Sequence, residues 1–155
     1  MFNSQRKAHH ANGGRHMREE GKKELIKAAL AARERAYIPY SGYAVGAAVL
    51  TESNRIYTGC NVENASYGAT NCAERTAIFK AVSEGERKCM AIAIAGGKKG
   101  KEPVDYAHPC GICRQVMREF GGEDFIVLVA KSEDDYREYT LKELLPYGFG
   151  GENLL

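Results

Sequence analysis

Three cysteines and one glutamate carry the most specific chemistry in this sequence. Cys72-Ala73-Glu74-Arg75 supplies one thiol and a carboxyl group, and Pro109-Cys110-Gly111-Ile112-Cys113 supplies two more thiols. Three thiolates can hold a zinc ion and leave its fourth tetrahedral position open. That is the ligand count of a catalytic centre, because structural centres close with four protein ligands. Water in an open position loses a proton far more readily than bulk water. Glu74, two residues after one ligand, is placed to handle that proton. The trithiolate set leaves excess negative charge, and the adjacent Arg75 can donate hydrogen bonds to sulfur and offset it.

Other readings of the same residues stay open at this point. A Cys-x-x-Cys also fits a thioredoxin-like redox pair, although such a pair has no need of Cys72. A closed structural zinc site would need a fourth ligand, and His108 is the only candidate nearby. Cys60 and Cys89 flank apolar runs and read as small core residues.

The elements that must position these groups follow from periodicity and punctuation. Glu19 to Tyr37 reads as a helix, with Leu25, Ile26, Ala29, Leu30 and Ala36 at helical spacing. Lys22, Lys23, Lys27 and Arg33 fall mostly on its other side, and Pro39 stops it by Ile38. Tyr43 to Leu50 and Ile56 to Val62 read as a β-hairpin across the turn residues 52–55. Cys72 to Glu84 reads as a helix with Asn71 as its N-cap and Ala77, Ile78, Ala81 and Val82 as its inner stripe. Met90 to Ala95 reads as a central strand, and Gly96 to His108 as a long loop. Cys110 to Phe120 is a second short helix, closed by Gly121-Gly122. Phe125 to Ala130 is a buried strand, Tyr136 to Thr140 an edge strand, and Leu141 to Leu145 a helical turn before Pro146. This order predicts an α/β fold: a three-layer α/β/α sandwich with a mixed sheet of about five strands. Both cysteine motifs open helices, where free N–H groups and the helix dipole stabilise negative sulfur.

Composition bounds the function class. The 155 residues suit one domain, with 44% hydrophobic and 27% charged residues. No apolar run approaches the length of a membrane span, and no signal-peptide core is present. An odd count of five cysteines, in a chain expected not to be exported, favours metal or redox work over disulfides. The formal net charge of +2 is too small to argue for nucleic acid, and it becomes −1 without residues 1–16. That segment, ending His16-Met17, reads as a disordered leader or cloning tag, which leaves 17–155 as a single zinc-dependent domain.

A Cys₃ set with a non-ligating glutamate and a Pro-Cys-x-x-Cys element is the pattern of zinc deaminases. At these residues the chain resembles the cytidine deaminase family, in its small zinc form that acts on free nucleosides. The resemblance runs from about Leu25 to Leu154. It takes in 36–41 (AYIPYS), 45–48 (VGAA), 59–67 (GCNVENASY), both cysteine motifs and 143–146 (ELLP). It implies Cys72, Cys110 and Cys113 as ligands of one Zn²⁺ per subunit and Glu74 as proton shuttle. It also implies that Asn61 and Glu63 bind the ribose, and that Phe149 reaches the base held by a neighbouring subunit. Tyr43 stands where the family usually has a phenylalanine packed near the base, and so adds a hydroxyl that needs a partner. A homotetramer in the cytoplasm, taking a small nucleoside and neither nucleic acid nor membrane, is the implied setting.

The implied reaction is hydrolytic deamination of cytidine and 2′-deoxycytidine in pyrimidine salvage. Two alternatives are a deaminase of another cytosine nucleoside, such as an aminoacyl-nucleoside antibiotic, and a non-catalytic zinc-binding module. The intact 61–64 block (NVEN) favours a plain nucleoside, and the presence of Glu74 argues against a non-catalytic module. Enzymes that edit polynucleotides usually place histidine where Cys72 stands.

Overall fold

A computed structural model describes residues 16–155. Except for His16, the expected leader over 1–16 lies outside the described residues. The elements are α1 (Glu19–Arg33), β1 (Tyr43–Thr51), β2 (Ile56–Cys60), α2 (Ala73–Ser83) and β3 (Cys89–Lys98). After them come α3 (Gly111–Gly121), β4 (Ile126–Ala130), β5 (Tyr136–Thr140) and α4 (Leu141–Leu144), with short 3-10 turns at Tyr67–Ala69 and Gly151–Asn153. The five strands form one mixed sheet in the order β2-β1-β3-β4-β5. Only β3 and β4 run parallel, and α3 makes the crossover between them.

The strand period of two sorts the core into two layers. Ile92 and Ile94 of β3, with Val127 and Val129 of β4, face α2 and α3 and pack on Ile78, Cys113 and Met117. Their neighbours Ala91, Ala93, Ile126 and Leu128 face the other way, onto Leu25, Ile26 and Ala29 of α1. Full burial of each branched side chain contributes about 1.5–3 kcal/mol. The expected three-layer sandwich is therefore the observed one. Small residues set the layer spacing. A Cβ on Gly46 would lie 2.0 Å from the Ala29 carbonyl oxygen of α1, and one on Gly59 would lie 2.4 Å from the Ala77 nitrogen of α2. Only glycine lets both helices sit this close to the hairpin.

Several boundaries and faces differ from the sequence reading, each for a physical reason. Helix α1 ends at Arg33 rather than Tyr37. Its last turn tightens through Arg35 and Ala36 N–H bonds to the Ala32 and Arg33 carbonyls, and the Tyr37 backbone then bridges to Asn61 and Glu63. Strand β2 stops at Cys60; Val62 makes only isolated bridges, to Tyr37 and Asn71. Strand β3 runs through the glycines to Lys98, because Gly96 to Lys98 pair with Val45 to Tyr43. Lys22 and Arg33 are buried rather than solvated. The Lys22 ammonium meets Glu138 of β5 at 2.6 Å, which ties α1 to the edge strand. Cys60 is only half-buried, with its thiol on the Arg35 carbonyl, whereas Cys89 is a core residue as expected. Among the described residues no helix is long and apolar enough to cross a membrane.

Candidate metal centre and substrate pocket

Two helix N-termini meet at one point. Cys72, not Asn71, is the N-cap of α2, and Cys110 is the N-cap of α3. The extended backbone at each cap turns the thiol out beyond the first turn, while the Asn71 amide is spent on the Thr76 hydroxyl at 3.1 Å. Cys113 follows one turn into α3 and is fully buried. The three sulfurs lie within 4.8 Å of one another, with Cys72 and Cys110 4.0 Å apart.

This donor set fits zinc. A tetrahedral ion with Zn–S bonds of about 2.3 Å separates its sulfurs by about 3.8 Å, so the three thiols need to close only slightly. Charge is already distributed for it. A hydrogen bond from Cys113 and the Arg75 guanidinium draw the Cys72 thiol down to about 5, although burial opposes them. Its partner Cys113 is pushed up by that same shared proton and by burial. Arg75 Nη2 donates to Cys72 Sγ at 3.3 Å, the contact expected of a group that offsets sulfur charge. The loop before Cys110 is pinned by Arg114, which donates to the Pro109 carbonyl at 2.8 Å and the Leu144 carbonyl at 2.7 Å.

Glu74 occupies the first turn of α2, only 4% exposed. Burial pushes its carboxyl up to about 7, and the nearby Cys72 sulfur adds to the rise; its own backbone N–H and Arg75 pull the other way. A carboxyl in that range can both take and release a proton near neutrality. Glu74, Cys72 and Cys110 line one cavity of about 250 Å³, together with Tyr43, Val45, Asn61, Thr70, Asn71, Ala73, Ala107 and His108.

The structure thus brings most of the residues singled out in the sequence to one place, but not all. Asn61 is in the cavity wall, where its amide accepts from the Val45 N–H and donates to the Tyr43 carbonyl, both at 2.9 Å. Glu63 lines an adjoining hollow that shares Thr70 with the cavity. Its carboxylate accepts from the Tyr40 and Ser41 N–H groups and from the Ser41 hydroxyl. Phe149 is exposed and does not line the cavity of its own chain; its carbonyl accepts from Gln115 Nε2 at 2.9 Å. His108 is no ligand. Its Nδ1 donates to the Tyr106 carbonyl at 3.1 Å, and its Nε2 pairs with the Tyr139 hydroxyl at 3.1 Å. Sequence reasoning missed the wall residues Thr70, Asn71, Ala107 and His108. The available signal was their place directly before the two cysteine motifs, where convergent helix starts must be walled by the residues that precede them.

Known proteins place the chain. A family model for the cytidine and deoxycytidylate deaminase zinc-binding region matches residues 19–129. A cytidine deaminase of Halalkalibacterium halodurans is 50% identical over 130 residues, which is 84% of this chain and 95% of its relative. One of Sporosarcina psychrophila is 48% identical over 131 residues, covering 84% and 93%. The crystal structure of cytidine deaminase from Burkholderia pseudomallei aligns with a TM-score of 0.74 at 48% identity, over 81% of this chain and 97% of that one. With its trithiolate cluster at the meeting of two helix starts and this breadth of similarity, the chain belongs to the cytidine and deoxycytidylate deaminase family of zinc-binding proteins.

Proposed function

We propose that the protein hydrolyses cytidine and 2′-deoxycytidine to uridine and 2′-deoxyuridine, releasing ammonia, in pyrimidine salvage. The observation that carries this reading is a buried Glu74 in the cavity that the converging thiol cluster borders. Relatives that match over more than nine-tenths of their own length and are named cytidine deaminase support it.

Cys72, Cys110 and Cys113 would hold the zinc ion. When bound, zinc supplies a water acidic enough to act as a nucleophile at neutral pH. Glu74 does the proton work. Its carboxylate takes one proton from the attacking water and passes it to N3 of cytosine, as oxygen bonds to C4. It then carries the second water proton to the amino group, the C4–N4 bond breaks, and ammonia leaves. Both water protons and the oxygen are accounted for: one proton stays on N3, the other departs with ammonia, and the oxygen becomes the C4 carbonyl. Arg75 holds the Cys72 sulfur. Asn61 in the cavity wall and Glu63 in the adjoining hollow keep spare hydrogen-bonding capacity for ribose hydroxyls. Tyr43 walls the base side.

The protein works as a cytoplasmic homotetramer in this reading, with Phe149 given to a neighbouring cavity; its exposure and its absence from the lining of its own cavity support that. The test is ammonia release from cytidine by the purified protein, with and without a zinc chelator. Turnover that is lost with the metal and restored by zinc is the expected result. A zinc-replete protein that leaves cytidine intact would overturn the reading.

A further inference from the structure

Arg33, the last residue of α1, is 4% exposed, and its guanidinium is spent on backbone carbonyls. Nε donates to the Ala44 carbonyl at 3.1 Å, and Nη2 donates to the Lys98 and Lys101 carbonyls at 2.7 and 2.6 Å. Among the described residues, the carboxylate within ion-pair reach is that of Glu34, 4.0 Å away. Burying a cation is costly unless its donors are satisfied, so a side chain placed here without a close counter-ion is held by what it fastens. The socket is built for it. A Cβ on Gly97 would come 3.1 Å from Nη2, so the guanidinium occupies space that a glycine leaves open there.

What Arg33 fastens is one wall of the cavity. Ala44 lies between Tyr43 and Val45, which both face the cavity. Asn61 grips this strip from one side through the Tyr43 carbonyl and the Val45 N–H, and Arg33 grips it from the α1 side through the Ala44 carbonyl. The same guanidinium binds the turn at Lys98 to Lys101, whose Lys99 N–H donates to the Gly42 carbonyl at 3.0 Å. The thiol cluster has separate supports, in the starts of α2 and α3 and in Arg114.

We propose that Arg33 is a positioning residue for the substrate pocket: it fixes the Tyr43 wall across the sheet and leaves the metal centre to other supports. The proposal rests on the nucleoside-deaminase reading for its kinetic consequence but not for its structural one. Arg33→Met keeps the volume and removes the donors; Arg33→Lys keeps the charge and part of the bonding. In Arg33→Met, KM for cytidine rises about tenfold with kcat within about threefold, zinc stays at one per chain, and Arg33→Lys recovers part of the KM. Hydrogen exchange at the Lys99 amide speeds up about tenfold, whereas amides of α2 and α3 keep wild-type rates. Where Arg33→Met does not fold, Gly97→Ala, which crowds the guanidinium, must shift KM and Lys99 exchange in the same direction. An unchanged Lys99 exchange rate, or loss of zinc from the variants, overturns the proposal whether or not cytidine is turned over. Wild-type turnover with an unmoved KM in the variants overturns it while sparing the functional reading. An inactive, zinc-replete wild type sinks the functional reading, and the exchange result then decides this one alone.

Discussion

At the scale of single residues, Glu74 shows how environment makes a common side chain useful. An exposed glutamate is ionised at neutral pH and makes a poor acid. Here, burial lifts the carboxyl to about 7, and the start of α2 carries it into the cavity beside the cluster. Glu74→Gln keeps the shape and removes the titratable oxygen. The expected outcome is full zinc content and an unchanged fold by circular dichroism, with ammonia release lowered by at least about 10²–10⁴-fold. Wild-type turnover in that variant would remove Glu74 from the chemistry. The chemical residues were legible in the sequence because thiols and carboxylates are rare in such spacing and the helix starts announce their direction. What could not be read was which partners their polar neighbours take. Asn61 reads as a ligand-binding amide, yet half of its hydrogen-bonding capacity holds the Tyr43–Val45 strip. His108 is the one nearby candidate for a fourth ligand, and both of its nitrogens are engaged by Tyr106 and Tyr139. Those partners lie across the fold, where local pattern carries no information.

At the scale of elements, close approach decides whether the site forms. Gly59 of β2 lies against the first turns of α2: an added Cβ would meet the Ala77 nitrogen at 2.4 Å and the Ala73 carbonyl oxygen at 2.6 Å. Backbone cannot swing aside as a flexible side chain can, so Gly59→Ala must push α2 off the sheet. That helix carries Cys72 at its cap, and Glu74 and Arg75 in its first turn. Overpacking of this kind costs about 1–3 kcal/mol, which for a domain of this size lowers the thermal midpoint by about 2–12 °C. A zinc competition assay on the same variant should show weaker retention of the metal, because one ligand moves relative to the other two. Unaltered melting and zinc retention would show that the β2–α2 contact has more slack than its geometry allows. The sequence showed the hairpin, both cysteine helices and the buried strands, since each is a local run with a clear period. It misjudged where β3 ends because Gly96-Gly97 reads as a loop; that stretch is extended because Tyr43 to Val45 pair with it and because Arg33 needs the space beside Gly97. Likewise, Lys22 and Arg33 sit on faces that look polar and become buried only when Glu138 and the 98–101 carbonyls arrive from distant parts of the chain.

At the scale of the whole molecule, the proposed tetramer makes a prediction that a single chain does not. Tyr37, Tyr40, Tyr67, Ile112 and Phe149 are all exposed, and a neighbouring chain in the proposed assembly would cover side chains of this kind. If Phe149 serves a neighbour's cavity, its loss and the loss of Glu74 must complement each other in mixed assemblies. Phe149→Ala alone should lower activity about tenfold, the scale of one lost aromatic contact. Glu74→Gln alone should be inactive. In an equal mixture of the two, refolded or co-expressed so that subunits exchange, a site with an intact Glu74 and a neighbour's intact Phe149 arises in about a quarter of positions, if each chain takes Phe149 from one neighbour. Activity should therefore exceed that of either parent and approach about a quarter of wild type, in a particle that sediments as four 17.0 kDa chains. A mixture no more active than the average of its parents would place Phe149 in service of its own chain or of no site. A particle sedimenting as a single chain would sink the assembly and the cross-subunit site together, while leaving the thiol cluster and Glu74 as they stand.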